Sequence, residues 1–230
     1  MSVKITWLGH STFSLTLDSG EVVVIDPFIS GNPSFPPSYD FSRVDLILAT
    51  HGHGDHISGI PELANRFSPN VVANYEVAKW LDGQGVKNTV GMNIGGSVTV
   101  GSLKVTMTPA AHSSMMEEPD GTTVYGGLAG GYVLHLADGR NAYFAGDTDV
   151  FGDMALIREL HAPALAVLPI GDFYTMNPRG AAIATRLLQP QVVIPSHYGT
   201  FPVLTGTPAE LQALVGCPVW TLEPGVPVTW

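Results

Sequence analysis

The sequence predicts an α/β protein in which two sheets stack face to face with helices outside. Three observations carry this. Short apolar runs of strand length recur along the whole chain, as at Leu46–Thr50 and Leu165–Leu168. Helix signals follow several of them. The order of strands first and strand–helix units next occurs twice, over roughly residues 1–100 and 101–230. No linker composition separates the halves, so one domain over residues 1–230 is expected. At 230 residues, 45% hydrophobic and only 13% charged, the chain can bury a large core.

The elements follow in order. Val3 to Leu8 and Thr12 to Leu17 read as strands around Gly9-His10-Ser11, and Asp18-Ser19-Gly20 is a hairpin turn. Glu21 to Ile25 is a strand that stops at Asp26-Pro27, where proline has no N–H for a ladder. Residues 28–42 are proline-rich loop. Leu46 to Thr50 is a buried strand, and Pro61 to Phe67 a helix with proline in its first turn. Val71 to Ala73 is a strand. Asn74 can cap a helix to about Leu81, which Gly83 and Gly85 end.

Ser97 to Val100 and Leu103 to Thr108 form a hairpin that leads to His112, and residues 113–130 read as a mobile loop. Tyr132 to Leu136 and Ala142 to Ala145 are strands joined at Asp138-Gly139, the second ending at Gly146-Asp147-Thr148. Met154 to Leu160 is a helix. Leu165 to Leu168 is a strand ending at Pro169-Ile170-Gly171-Asp172. Asn177-Pro178 opens a helix to about Leu188, and Val192 to Ile194 is a strand before Pro195-Ser196-His197-Tyr198. Thr207-Pro208-Ala209-Glu210 has the form of a capping box, and the alternating tail adds an edge strand.

The densest chemistry lies in His51-Gly52-His53-Gly54-Asp55-His56, which puts three imidazoles and a carboxylate on a loop after a buried strand. Neutral imidazole and carboxylate are good ligands for zinc and other first-row metals. His51 and His53, two apart, can converge on one ion from extended backbone. Asp55 and His56 lie past the bend and aim at a second. Gly52 and Gly54 are read as letting the backbone turn tightly. His112, Asp147 and His197 also follow apolar strands directly. Seven such residues suit two ions: His51, His53 and His112 on the first, Asp55, His56 and His197 on the second, and Asp147 bridging. Two cations about 3.5–4 Å apart can lower the pKa of a shared water from near 16 to roughly 7, yielding a hydroxide for attack on a carbonyl or phosphorus. The expected cofactors are two divalent ions, zinc first, with manganese and iron also suited to these ligands. No G-x-S-x-G elbow competes with that chemistry.

Composition limits the partners. A formal net charge of −10 with only ten Lys and Arg argues against nucleic acid. The single cysteine, Cys217, excludes an intrachain disulfide. The first residues carry no signal-peptide pattern, and no apolar run reaches membrane-spanning length. A cytoplasmic protein acting on a small molecule is expected. Its low charge points to a homo-oligomer that covers apolar surface.

The Thr50–His56 stretch with His112, Gly146-Asp147-Thr148 and Pro195-Ser196-His197 resembles the metallo-β-lactamase-fold hydrolases over nearly the whole chain. Trp7-Leu8-Gly9-His10-Ser11, Ile25-Asp26-Pro27 and Pro169-Ile170-Gly171-Asp172 look like the branch with the uncharacterised metal-dependent hydrolases and the ascorbate-6-phosphate lactonase-like proteins. The resemblance implies a four-layer αββα sandwich of two mixed sheets and hydrolysis of an ester, lactone or phosphoester. Two departures narrow it. True β-lactamases of this fold generally lack a bridging Asp at the position of Asp147, and the related di-iron oxygen reductases carry Glu where His53 stands. A metal-binding scaffold without turnover and a nuclease or phosphodiesterase of the same fold are the alternatives.

Outside the seven, His10 is expected beside the metals, as proton donor or substrate contact, in a catalytic set with Asp55 and Asp147. Its plainer reading is a turn histidine. Asp26 is expected to orient the metal loop from behind. Asp172 and Tyr198 are candidates for touching a ligand or substrate.

Overall fold

The computed structural model describes residues 2–230. Lys4–Trp7 (β1), Phe13–Thr16 (β2) and Val22–Ile25 (β3) form an antiparallel meander. Leu46–Leu48 (β4) pairs with β3 in parallel. Gly54–Ile57 (α1) and Ile60–Phe67 (α2) then cross to Asn70–Asn74 (β5), and Tyr75–Gly83 (α3) crosses to Thr89–Met92 (β6), both strands again parallel. Ser97–Val100 (β7) and Leu103–Pro109 (β8) form a hairpin. Met115–Glu117 (β9) and Thr123–Tyr125 (β10) form a separate small one. Gly130–His135 (β11) and Asn141–Phe144 (β12) follow, then Met154–His161 (α4), Leu165–Pro169 (β13), Pro178–Leu188 (α5), Val192–Ser196 (β14), Pro208–Leu214 (α6) and Val228–Thr229 (β15).

Among the described residues the strands make a seven-stranded sheet, β15-β1-β2-β3-β4-β5-β6, and a six-stranded sheet, β14-β13-β12-β11-β8-β7. Both are mixed. The apolar cluster between them takes Ile5, Phe13, Leu15 and Leu48 from the first and Val105, Met107, Tyr132 and Phe144 from the second. A second cluster packs α2 and α3 on the outer face of the first sheet, through Leu63, Val77 and Leu81 against Val24, Ile47 and Val71. A third packs α4, α5 and α6 on the second sheet, through Ile157, Ala181 and Leu211 against Tyr143, Ala166 and Val193. The result is the αββα sandwich. Among the described residues no helix is long and apolar enough to cross a membrane.

The cap signals act as read. Asn74 accepts from Val77 N, Asn177 accepts from the first turn of α5, and the Thr207–Glu210 capping box is complete.

Three expectations need correction. The sheets do not divide at residue 100. The two-residue turn of the β7–β8 hairpin holds both strands in the second sheet, while β15 returns to pair with β1 in the first. Residues 113–130 are not a plain loop, because β9 and β10 pair within them. Trp80 Nε1 on α3 and Gln84 Nε2 just past its end donate to Glu118 at the hairpin's tip, and Asn74 Nδ2 donates to Gly126 O and Leu128 O at its base. Finally, α1 and β6 have no counterpart in the sequence reading. One turn of helix is too short to show a period, and the exposed Gly91 masks alternation in β6.

Candidate metal centre

β1, β3 and β4 run one way in the first sheet, β8, β12 and β14 run one way in the second, and contacts such as His197 N to His10 O show that both sets end at one edge of the sandwich. His10, Asp26, His51–His56, His112, Asp147 and His197 follow those strands directly or within a few residues. Residues almost 190 positions apart therefore meet at one rim.

Two sets of donor atoms converge there. His51, His53 and His112 each offer a nitrogen within 4.8 Å of the others. Asp55, His56 and His197 do the same, with His10 in the group. Asp147 lies between the sets: its Oδ2 is 3.1 Å from His197 Nε2, 3.3 Å from His56 Nε2 and 3.8 Å from His112 Nε2. His56 Nε2 and Asp147 Oδ1 are buried and make no hydrogen bond of proper geometry. Buried polar atoms without partners are costly. Such atoms facing a ring of imidazoles fit the donor set of a divalent metal.

Asp26 organises the histidines from behind. Its Oδ1 accepts from Thr50 N, and its Oδ2 accepts from Thr50 Oγ1 and from His56 Nδ1 at 2.8 Å. An ionised carboxylate only accepts, so His56 carries its proton on Nδ1 and turns Nε2 toward the rim. Thr50 has given its own proton to Asp26. It can only accept from His51 Nδ1, which leaves His51 Nε2 unprotonated, 2.9 Å from His53 Nδ1. Thr50 lies within the motif, and its hydroxyl sets this arrangement. A threonine at a strand end carries no signal of its own.

His10 is fully buried and lies behind the site. Its Nε2 donates to Asp55 Oδ2 at 2.9 Å, and Thr200 Oγ1, 3.0 Å away, donates to its Nδ1. Its backbone carbonyl accepts from both Trp7 Nε1 and His197 N, which ties the two sheets together at the rim. His10, Asp26 and His197 all have positive φ, at 56°, 47° and 52°. Strained backbone of this kind collects where a site over-determines it.

The electrostatics separate the two sets. Burial pushes His51, His53 and His112 below the ordinary imidazole range, which keeps them neutral and ready to ligate. Burial also opposes charge on His197 and His56. There the Asp147 carboxylate outweighs it, raising His197 to about 9 and His56 well above its usual value, with Asp26 and Asp55 adding to the latter. Burial works against Asp147 too, but His197 and His56 hold its carboxyl well below the usual range.

Of the two glycines only Gly52 is required, and for close approach of another segment. A Cβ on Gly52 would lie 2.6 Å from Met116 Sδ and 3.0 Å from Met115 O, so close approach of the β9–β10 hairpin requires glycine there. Neither Gly52 nor Gly54 has positive φ, and a Cβ on Gly54 would meet open space. Asp172 lines a neighbouring cavity with Asn177, Arg179 and Glu210, not the histidine cavity. Tyr198 stacks on Trp7, with ring centroids 5.2 Å apart. The cavity over the rim has a volume of about 640 Å³ and is lined by His53, Asp55, His112, Ser113, Asp147, Tyr174, His197, Phe201 and Val203. Tyr174, Phe201 and Val203 went unremarked in the sequence, since an aromatic or valine in a loop has no pattern to mark it.

A four-layer sandwich with this rim of histidines and aspartates defines the class of metallo-β-lactamase-fold metal-dependent hydrolases. Residues 21–198 match the beta-lactamase superfamily domain. A "UPF0173 metal-dependent hydrolase" of Solibacter usitatus is 54% identical over 99% of this chain and 100% of its own length. One from Methanopyrus kandleri is 46% identical over 97% and 98%. Among solved structures, Igni18 of Ignicoccus hospitalis, described as a novel metallo hydrolase, is similar with a TM-score of 0.89 and 37% identity over 100% of this chain and 99% of its own. The chain belongs to the UPF0173 metal-dependent hydrolases of the beta-lactamase superfamily.

Proposed function

We propose that the protein is a two-ion hydrolase of a small-molecule ester, lactone or phosphoester. His51, His53 and His112 hold one divalent ion, Asp55, His56 and His197 hold the other, and Asp147 bridges them. Zinc suits the nitrogen-rich set best, and manganese or iron fits the same donors. The position of Asp147 carries the reading. Its one oxygen lies within 4 Å of imidazoles from both sets.

When bound, such a pair of cations supplies a nucleophile at neutral pH and polarises the oxygen of the substrate. The chain's own residues prepare for that. Asp26 and Thr50 fix the tautomers of His56 and His51. His10 acts as a positioning residue: it holds Asp55 through Nε2 and lies outside the cavity lining, so it works through that carboxylate. The whole chain of 230 residues serves as one unit, because its last strand closes on its first.

The test is Asp147→Ala. Hydrolysis of the metal-reconstituted protein should fall at least about 10³-fold, as expected when transition-state charge stabilisation is lost. Bound metal should drop below two ions per chain by elemental analysis, with an unchanged circular dichroism spectrum. A variant that keeps full activity and two ions would refute the bridge.

A further inference from the structure

Part of the lining of this cavity is apolar. Tyr174, Phe201 and Val203 stand there 58%, 37% and 42% exposed, and Ser113 is the one polar lining residue outside the proposed ligands. The wall is built into the fold. Gly199 N donates to Leu204 O and Leu204 N donates to Phe201 O, closing the turn that carries Phe201 and Val203. The Phe201 ring meets the His10 ring edge-on at 5.7 Å. Tyr174 sits on a tight turn in which its own N–H and that of Thr175 both donate to Asp172 O.

Charge gives the second observation. Among the described residues, none of the ten Lys and Arg side chains lines this cavity. Arg43, Arg66, Lys79 and Arg140 pair with carboxylates elsewhere. The Asp55 and Asp147 carboxylates that face the cavity are the proposed metal ligands, so positive charge there would be confined to the ions at the rim. A phosphate or carboxylate tail would find no guanidinium or ammonium to pair with, the groups that ordinarily recognise it. Small-molecule pockets of this make-up bind through apolar area, with a few polar groups for orientation.

We infer that the substrate is an uncharged ester whose aliphatic or aromatic arm rests on Tyr174, Phe201 and Val203, and that an anionic group on that arm is rejected. This rests on the hydrolase reading above. The reaction is plain hydrolysis: water adds to the carbonyl carbon, the bond to the alcohol oxygen breaks, the alcohol takes up the proton, and nothing is oxidised or reduced.

The experiment uses the metal-loaded full chain and one leaving group. For p-nitrophenyl acetate, butyrate and octanoate, kcat/KM should rise by about two- to fourfold per methylene, the worth of burying each one. Mono-p-nitrophenyl suberate matches the octanoate in length but ends in a carboxylate, and it should be at least about tenfold poorer. Octan-1-ol should likewise inhibit more tightly than 8-hydroxyoctanoate, which reads the preference in binding alone. Phe201→Ala and Val203→Ser should each shrink the octanoate-to-acetate ratio; Val203→Ser serves as the second variant because Phe201 also touches His10. Metal-dependent hydrolysis with a flat chain-length profile, or with the suberate preferred, overturns this inference and spares the two-ion reading. No metal-dependent hydrolysis of any ester overturns this inference, and none of any lactone or phosphoester either overturns the two-ion reading with it.

Discussion

Asp26 is the residue on which the histidine cluster turns, and it holds no position in the cavity itself. Three hydrogen bonds end on its carboxylate: Thr50 N, Thr50 Oγ1 and His56 Nδ1. Asp26→Ala strands all three donors in a buried setting, at about 1–3 kcal/mol each. Chemical denaturation should show a loss of at least ~3 kcal/mol, and metal titration a 10–100-fold weaker affinity. Wild-type stability together with wild-type metal affinity would sink the orienting role. Gly171 makes the second prediction at this scale. A Cβ there would lie 2.0 Å from His197 O, so Gly171→Ala must push the His197 turn outward. The variant should lose at least ~2 kcal/mol and hold metal less tightly. An unchanged metal content and melting temperature would show that the turn yields freely. The seven proposed donors were legible because they follow apolar runs, four of them in the one stretch after β4. The hydrogen-bond partners that aim them were not, since a threonine such as Thr50 or Thr200 looks the same whether it faces solvent or a ring nitrogen.

At the scale of elements, the helices were the easiest part to read. Their starts carry side-chain chemistry: Asn74, Asn177 and Thr207 all cap as expected. Thr207→Ala removes one half of the capping box on α6 and should cost about 1 kcal/mol by denaturant unfolding while leaving metal content unchanged. A loss of metal in that variant would mean α6 reaches further into the site than its packing on Leu211 implies. The β9–β10 hairpin was the hardest element. Its three-residue strands pair only with each other, and Gly, Pro and Asp between them read as loop. What orders it is tertiary: Met116 in the outer core, Ser114 Oγ accepting from Gly52 N, and the bonds from α3 and Asn74.

Across the whole molecule, the two sheets are joined by side chains as well as by packing. Tyr132 on β11 donates its hydroxyl to Ala49 O beyond the end of β4, spanning the sandwich. Burial raises the Tyr132 hydroxyl well above its ordinary value and raises that of Tyr143 too. For a group raised on folding, the stabilisation is complete below the unfolded pKa, near 10, and is lost as pH climbs through the folded value. These two tyrosines should therefore add no pH dependence up to about pH 10. Above it, stability should fall by about 1.4 kcal/mol per pH unit for each tyrosine. Denaturant midpoints from pH 9 to 12 measure this, and Tyr132→Phe should remove one tyrosine's share of the slope. A profile flat to pH 12 would mean that neither hydroxyl is held from water.

By itself the sequence pointed to the proposed donor set and determined the alternation of strands and helices, the caps, and the shortage of basic side chains. Those are properties of residue type and of local period, and both are written along the chain. Only the tertiary structure decided that β15 returns to the first sheet, that His10 bonds Asp55, and that Tyr174, Phe201 and Val203 line one cavity with the histidines of the rim. Each depends on contacts between distant segments that are made only when two twisted sheets close on a shared core, and no spacing within either segment encodes them.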